Sequence, residues 1–163
     1  MTLLFLDLDG VINGESFDYE PIEKQIESET YVPELVRNIN YIIDRFKMDV
    51  VISSSWRIAR TREQLETVLN GIGLIANIHG VTEHDNQPRH KQIWDYLNKH
   101  KIWNNDYIII DDDSDAFHYY HAYGFKTDVT VGFDNKALTN FLNKFTMFDQ
   151  KFNVLLNKER NTL

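Results

Sequence analysis

Two rhythms of apolar and polar residues alternate along this chain. Residues 3–6, 50–52 and 107–110 are short runs with no polar interruption. Runs of this kind suit strands covered on both faces of a parallel sheet. Between them, apolar residues recur at helical spacing. Val32, Leu35, Val36, Ile39, Ile42, Ile43 and Phe46 make one stripe, with Pro33 near its first turn. Thr61-Arg62-Glu63-Gln64 opens a second helix with a capping pattern; Leu65, Val68 and Leu69 form its apolar face, and Gly71 stops it. Ile93, Tyr96 and Leu97 mark a third helix, and Ala137, Leu138, Phe141, Leu142 and Phe145 a last one. Weaker signals predict strands at residues 74–78 and 125–128 and a helix over 114–123.

Strand and helix therefore alternate, which predicts a Rossmann-like, doubly wound α/β domain with a parallel sheet. A length of 163 residues suits one domain. The expected domain is 1–146, followed by a weakly patterned tail, 147–163. The interval 12–32 is short and polar and reads as a flap carrying Phe17 and Tyr19. The loop of about 80–88 is too short for a second core, so no large cap domain is expected.

Composition narrows the chemistry. Hydrophobic residues at 42% and aromatics at 13% suffice for a packed core. The chain has no cysteine, which excludes disulfides, thiolate metal sites and a cysteine nucleophile. It also lacks a bilayer-length apolar run. The N-terminus has no basic segment and meets Asp7 too early for a signal peptide, so a cytoplasmic protein without membrane attachment is expected. A net charge of −8 argues against wrapping nucleic acid by phosphate neutralisation, though not against a local basic patch.

The acids are concentrated at two predicted strand ends. The first strand ends in Asp7-Leu8-Asp9-Gly10-Val11 and another in Asp111-Asp112-Asp113-Ser114-Asp115. Ligands of open parallel sheets bind beyond the carboxyl ends of the strands. Carboxylates crowded there favour a hard cation such as Mg²⁺, completed by water and a substrate phosphate. Asp7 and Asp9 are placed to share work, one attacking phosphorus and the other handling protons. Ser53, Ser54 and Ser55 can bind phosphate oxygens, with Arg57 close enough to touch substrate. Arg89 or Lys91 can offset charge on the transferring group.

Each feature also has a plainer reading. Asp111 to Asp115 suits a helix N-terminus, the serines can satisfy loop amides, and Arg57, Arg60 and Arg62 can be surface charges. His118 and His121 lack further ligands for zinc, His84-Asp85 has no partner pattern, and no phosphate-binding P-loop is present.

Taken in order, these segments resemble the haloacid dehalogenase (HAD) superfamily of phosphatases. Its motifs are an apolar strand with Asp-x-Asp-Gly, a strand ending in Ser or Thr, a Lys or Arg opening a helix, and an acidic strand end. The resemblance implies Asp7 as nucleophile and Asp9 as general acid/base. It implies metal ligation by the Asp7 side chain, the Asp9 backbone carbonyl and either Asp111 or Asp112, with Asp115 as an auxiliary acid. Ser54 is preferred for the second motif and Arg89, over Lys91, for the third, where lysine is commoner. The run Ser53-Ser54-Ser55-Trp56-Arg57, Arg89 with Ile93-Trp94 and Leu97, and Ile110-Asp111-Asp112-Asp113 more narrowly resemble the HAD domains of Swiss Army Knife RNA-repair proteins. Those are similar to the 3′-phosphatase half of a bacteriophage polynucleotide kinase-phosphatase. The implied activity is removal of phosphate from RNA or DNA 3′ ends or from nucleotides. In a site without a cap, Trp56, Phe17 or Tyr19 can stack on a terminal base, with ordinary packing as the plainer reading of each. A small-molecule nucleotidase and a silent binding protein on the same scaffold are the alternatives.

Overall fold

In the structure, a computed structural model, residues 2–14, 32–84, 86–102, 106–118 and 120–145 are described. The expected flap with Phe17 and Tyr19 and the tail lie outside them. Five parallel strands form one sheet: β1 (Thr2–Leu6), β2 (Met48–Ile52), β3 (Ile78–Val81), β4 (Tyr107–Asp111) and β5 (Gly124–Lys126). Their order across the sheet is β3-β2-β1-β4-β5. Strand order reverses at β1, so the crevice between the ends of β1 and β4 is the switch point where a ligand site is expected.

Among the described residues, four α-helices flank the sheet: α1 (Pro33–Phe46), α2 (Arg62–Gly71), α3 (Arg89–Lys99) and α4 (Asn135–Lys144). Three of them begin for a local reason. Pro33 starts α1 with its φ already helical. Thr61 and Gln64 close a reciprocal capping box on α2, with bonds of 3.3 and 2.8 Å. Asp134 caps α4 by accepting the Ala137 N–H at 2.7 Å. Pro88, at the start of α3, has no side chain able to cap, and that helix is capped from elsewhere in the chain.

The pleat divides the core into two layers. Leu4, Leu6, Val50, Ile52, Ile108 and Ile110 face α1, α2 and α4, where Phe141 sits among Phe46, Phe125, Phe133 and Phe145. Leu3, Phe5, Val51, Tyr107 and Ile109 face Ile93, Tyr96 and Leu97 of α3 and the segment after β4. The runs 3–6, 50–52 and 107–110 thus have apolar cover on both faces of the sheet, which is why they carry no polar alternation.

Three expected elements shift. Pairing of β3 begins at Ile78, not Leu74. Residues 74–77 are irregular: Leu74 enters the core while Ile75 is 78% exposed. The apolar run marked the approach to the sheet, and His79 and Gly80 in the true strand hid it. The helix expected over 114–123 is a 3-10 turn, Ser114–Phe117, followed by further turns in which the Tyr123 N–H donates to the Tyr120 carbonyl at 2.8 Å. Strand β5 stops at Lys126, and Asp128 forms an isolated antiparallel bridge with Gly132. Between β2 and α3 the chain is occupied by core elements, and among the described residues no helix is long and apolar enough to cross a membrane.

Candidate active site

Register builds the site. Leu6 lies between Ile52 and Ile110, so the next residues, Asp7, Ser53 and Asp111, meet side by side. The ladder continues through them: the Asp7 N–H donates to the Ile110 carbonyl and the Ser53 N–H to the Leu6 carbonyl, each at 3.0 Å. Thr82 extends the row, its N–H donating to the Ile52 carbonyl at 3.0 Å. Alternation turns Asp7, Ser53 and Asp111 away from the Leu6 layer and toward the α3 face. All four side chains are buried, a costly placement for polar groups unless partners or a ligand meet them.

Carboxylate oxygens of Asp7, Asp111 and Asp112 lie within 4.8 Å of one another. Arg89, from the first turn of α3, reaches into this group: its Nη1 is 2.8 Å from Asp111 Oδ2 and 3.2 Å from Asp7 Oδ2. The crowding has electrostatic consequences. Burial, then the Asp7 charge, push the Asp111 carboxyl up to about 8, against the pull of Arg89. Burial and Asp7 also raise Asp112. Burial opposes the Arg89 charge, but Asp7 and Asp111 outweigh it and hold its pKa above the ordinary value. One guanidinium does not balance three acids. The donor set, all carboxylate oxygen on a span one ion can bridge, fits a hard divalent cation.

Loop contacts fix the supporting backbone. Gly10 has φ +66°, and a Cβ there would lie 2.7 Å from the Asp112 carboxyl carbon. Only glycine lets the first acidic loop turn this close to the second. The Thr127 hydroxyl donates to the Gly10 carbonyl at 2.7 Å, and the Phe133 N–H to the Val11 carbonyl at 2.8 Å.

A model of the HAD domain in Swiss Army Knife RNA-repair proteins matches residues 3–138. The chain belongs to the haloacid dehalogenase superfamily. A haloacid dehalogenase-like hydrolase from Streptococcus pneumoniae has the same fold, with a TM-score of 0.50 and 13% identity over 86% of this chain and 90% of that one. No curated protein matches the sequence significantly.

The HAD motif residues fall into three groups in space. Asp7, Arg89, Asp111 and Asp112 converge, as described. Asp9 stands beside them but outside the carboxylate group. Its Oδ2 accepts the Trp56 indole N–H at 2.8 Å and its Oδ1 the Asn13 amide at 3.1 Å. The second-motif serines diverge. Ser53 is in the row, its hydroxyl buried and without a hydrogen-bond partner among the described residues. Ser54 is equally buried, but its hydroxyl caps the 3-10 turn Ser55–Ala59, accepting the Trp56 N–H at 3.4 Å. Ser55 is exposed at the start of that turn.

The Arg57 guanidinium is turned inward, onto the carbonyls of Thr82 (3.0 Å), Ser53 (2.6 Å) and Ser54 and onto the Gln92 side chain. It ties the loops after β2 and β3 to α3. Lys91 is exposed on α3. Asp115 is exposed and is not a member of the carboxylate group. Its Oδ2 accepts the Arg89 backbone N–H at 2.8 Å, supplying the cap that Pro88 cannot, and its Oδ1 is 3.1 Å from His90 Nδ1. Asn13, Gln92 and Thr127 are supporting residues that motif reading passed over. Asn13 had one available signal, a lone amide just after the apolar Val11-Ile12 that follow Asp9-Gly10.

Proposed function

We propose that this HAD domain is a Mg²⁺-dependent phosphatase that removes phosphate from nucleic-acid 3′ ends, RNA above all, or from nucleotides. The observation that carries the reading is the convergence of Asp7, Asp111 and Asp112 with Arg89 at the sheet's switch point. Asp7 and one or both of Asp111 and Asp112 would hold the cation, which would neutralise phosphate oxygens and leave phosphorus open to attack. An Asp7 oxygen attacks phosphorus in line as the bond to the leaving oxygen breaks, giving an aspartyl phosphate. Asp9 gives its proton to that leaving oxygen. The Asp9 carboxylate then takes a proton from the water that attacks phosphorus, and Asp7 is released with inorganic phosphate. Arg89 offsets charge on the phosphoryl group. The Ser53 hydroxyl, in the Asp7 row and without a hydrogen-bond partner among the described residues, is placed to donate to a phosphate oxygen; the Ser54 hydroxyl accepts the Trp56 N–H and keeps its own O–H as a second candidate donor. The substrate class rests on the match to domains of RNA-repair proteins.

The reading is tested with a 3′-phosphorylated oligoribonucleotide and mononucleotides, each with Mg²⁺ and after chelation. Turnover of the oligonucleotide at low concentration, lost on chelation, is expected. Asp7→Asn should lower kcat by roughly three orders of magnitude or more while the thermal melt shows a folded protein. Full activity in that variant would sink the mechanism, and a preference for mononucleotides would replace the substrate.

A further inference from the structure

We infer that Trp56 and Asn13 are positioning residues that aim the proton of Asp9 at the leaving group. The inference rests on the reading of Asp9 as general acid and adds residues to which no motif assigns this work. Both Asp9 oxygens receive a donor from the protein, the Trp56 indole N–H at 2.8 Å and the Asn13 amide at 3.1 Å. The identity of each donor is chemically fixed. An indole nitrogen can only donate. The Gly10 N–H, also only a donor, is 3.0 Å from Asn13 Oδ1, so the Asn13 amide nitrogen must be the end facing Asp9. Neither neighbour can accept a proton from Asp9. When Asp9 is protonated, its O–H must therefore occupy a lone-pair direction that points away from both, leaving it for the substrate oxygen.

The anchors themselves are held. Trp56 is half-buried against the main apolar layer, and the Arg60 guanidinium carbon lies 5.8 Å from its ring centroid. Its backbone N–H is bound by Ser54 at the cap of the 3-10 turn. Asn13 shares its loop with Val11, whose carbonyl accepts the Phe133 N–H. The indole is thus committed to Asp9, which explains why a tryptophan directly follows the serine run: its N–H reaches across from the loop after β2 to the loop after β1.

Leaving-group dependence tests this. kcat/KM reports steps up to departure of the leaving group. An alkoxide leaving group, as in a nucleoside 3′-phosphate, needs the Asp9 proton, whereas p-nitrophenolate departs without it. Trp56→Phe keeps the ring and deletes the donor. Its kcat/KM should fall about tenfold or more on the nucleoside 3′-phosphate, a fraction of what general acid catalysis supplies, and no more than about threefold on p-nitrophenyl phosphate. Asn13→Ala should show the same selective loss, and it covers the case in which the Trp56 variant does not fold. A loss equal on both substrates, or absent on both, overturns the inference. Asp9→Asn is measured beside them. If it shows the selective loss and the other two do not, the positioning role alone fails. If Asp9→Asn shows no selectivity, the general-acid reading fails and takes the positioning role with it.

Discussion

At the residue scale, the site depends on close approach. Gly10 carries a positive φ, and a side chain there would enter the space of Asp112. Gly73 offers the natural comparison: its φ is +84°, but nothing lies within 4 Å of a Cβ built on it. Gly10→Ala and Gly73→Ala should each cost about 1–2 kcal/mol of backbone strain. Only Gly10→Ala should also raise the Mg²⁺ concentration needed for half-maximal activity, because only it displaces a carboxylate of the cluster. A Mg²⁺ titration of phosphatase activity in the two variants checks this, and matching curves would show that Asp112 does not serve the ion. Ser53 and Ser54 make a related point. They are adjacent, chemically identical and equally buried, yet one hydroxyl caps a turn and the other, in the Asp7 row, has no partner among the described residues.

At the element scale, α3 is the helix that brings chemistry to the sheet. Its apolar stripe, Ile93 and Leu97, docks on the sheet layer, and its first turn delivers Arg89 to Asp7 and Asp111. Pro88 leaves the helix start uncapped, and Asp115 fills that role from the segment after β4. The cap thus couples the third motif to the fourth. Asp115→Ala should lower stability by about 1 kcal/mol, the usual cost of losing a helix cap. It should also lower kcat/KM several-fold by loosening the turn that bears Arg89. Thermal melts and steady-state kinetics read the two effects separately. Unchanged kinetics would mean that the side-chain contacts to Asp7 and Asp111 alone position Arg89.

At the scale of the whole molecule, the fold holds a group of acids that repel one another at the switch point, and stability should reflect it. Asp111 is raised to about 8 by burial and by Asp7. A carboxyl whose folded pKa is raised stabilises the fold when protonated. In metal-free protein this contribution is complete below the ordinary carboxylate pKa near 4 and is lost as pH rises toward 8. The melting temperature measured in chelator should therefore fall across that window. Mg²⁺ should restore it more at pH 8.5 than at pH 5, because the ion competes with the proton for the same oxygens. Asp111→Asn should flatten the pH dependence in chelator. A chelated melt independent of pH would contradict the proposed burial of Asp111 as an acid.

Much of this was legible in the sequence by itself. The three central strands and four helices follow from local periodicity, since strands covered on both faces and helices covered on one leave distinct patterns. Asp7, Asp111 and Asp112 follow from their places at strand ends; place alone left Arg89 and Lys91 both open, and the family resemblance favoured Arg89. What only the tertiary structure decided concerns directions and partners. Trp56 lies 47 positions from Asp9, and no local pattern tells that its N–H, more than its ring face, is the part in use. Arg57 reads as a charge near the site, but the carbonyls at the ends of β2 and β3 turn it inward. The start of β3 was set by its pairing with β2, not by the run at 74–78. In each case at least one deciding bond joins residues distant in sequence, for Arg57 the one to the Thr82 carbonyl. Beyond a strand's last residue, the direction of a side chain is set by the neighbouring strands, and those are specified only once the sheet has formed.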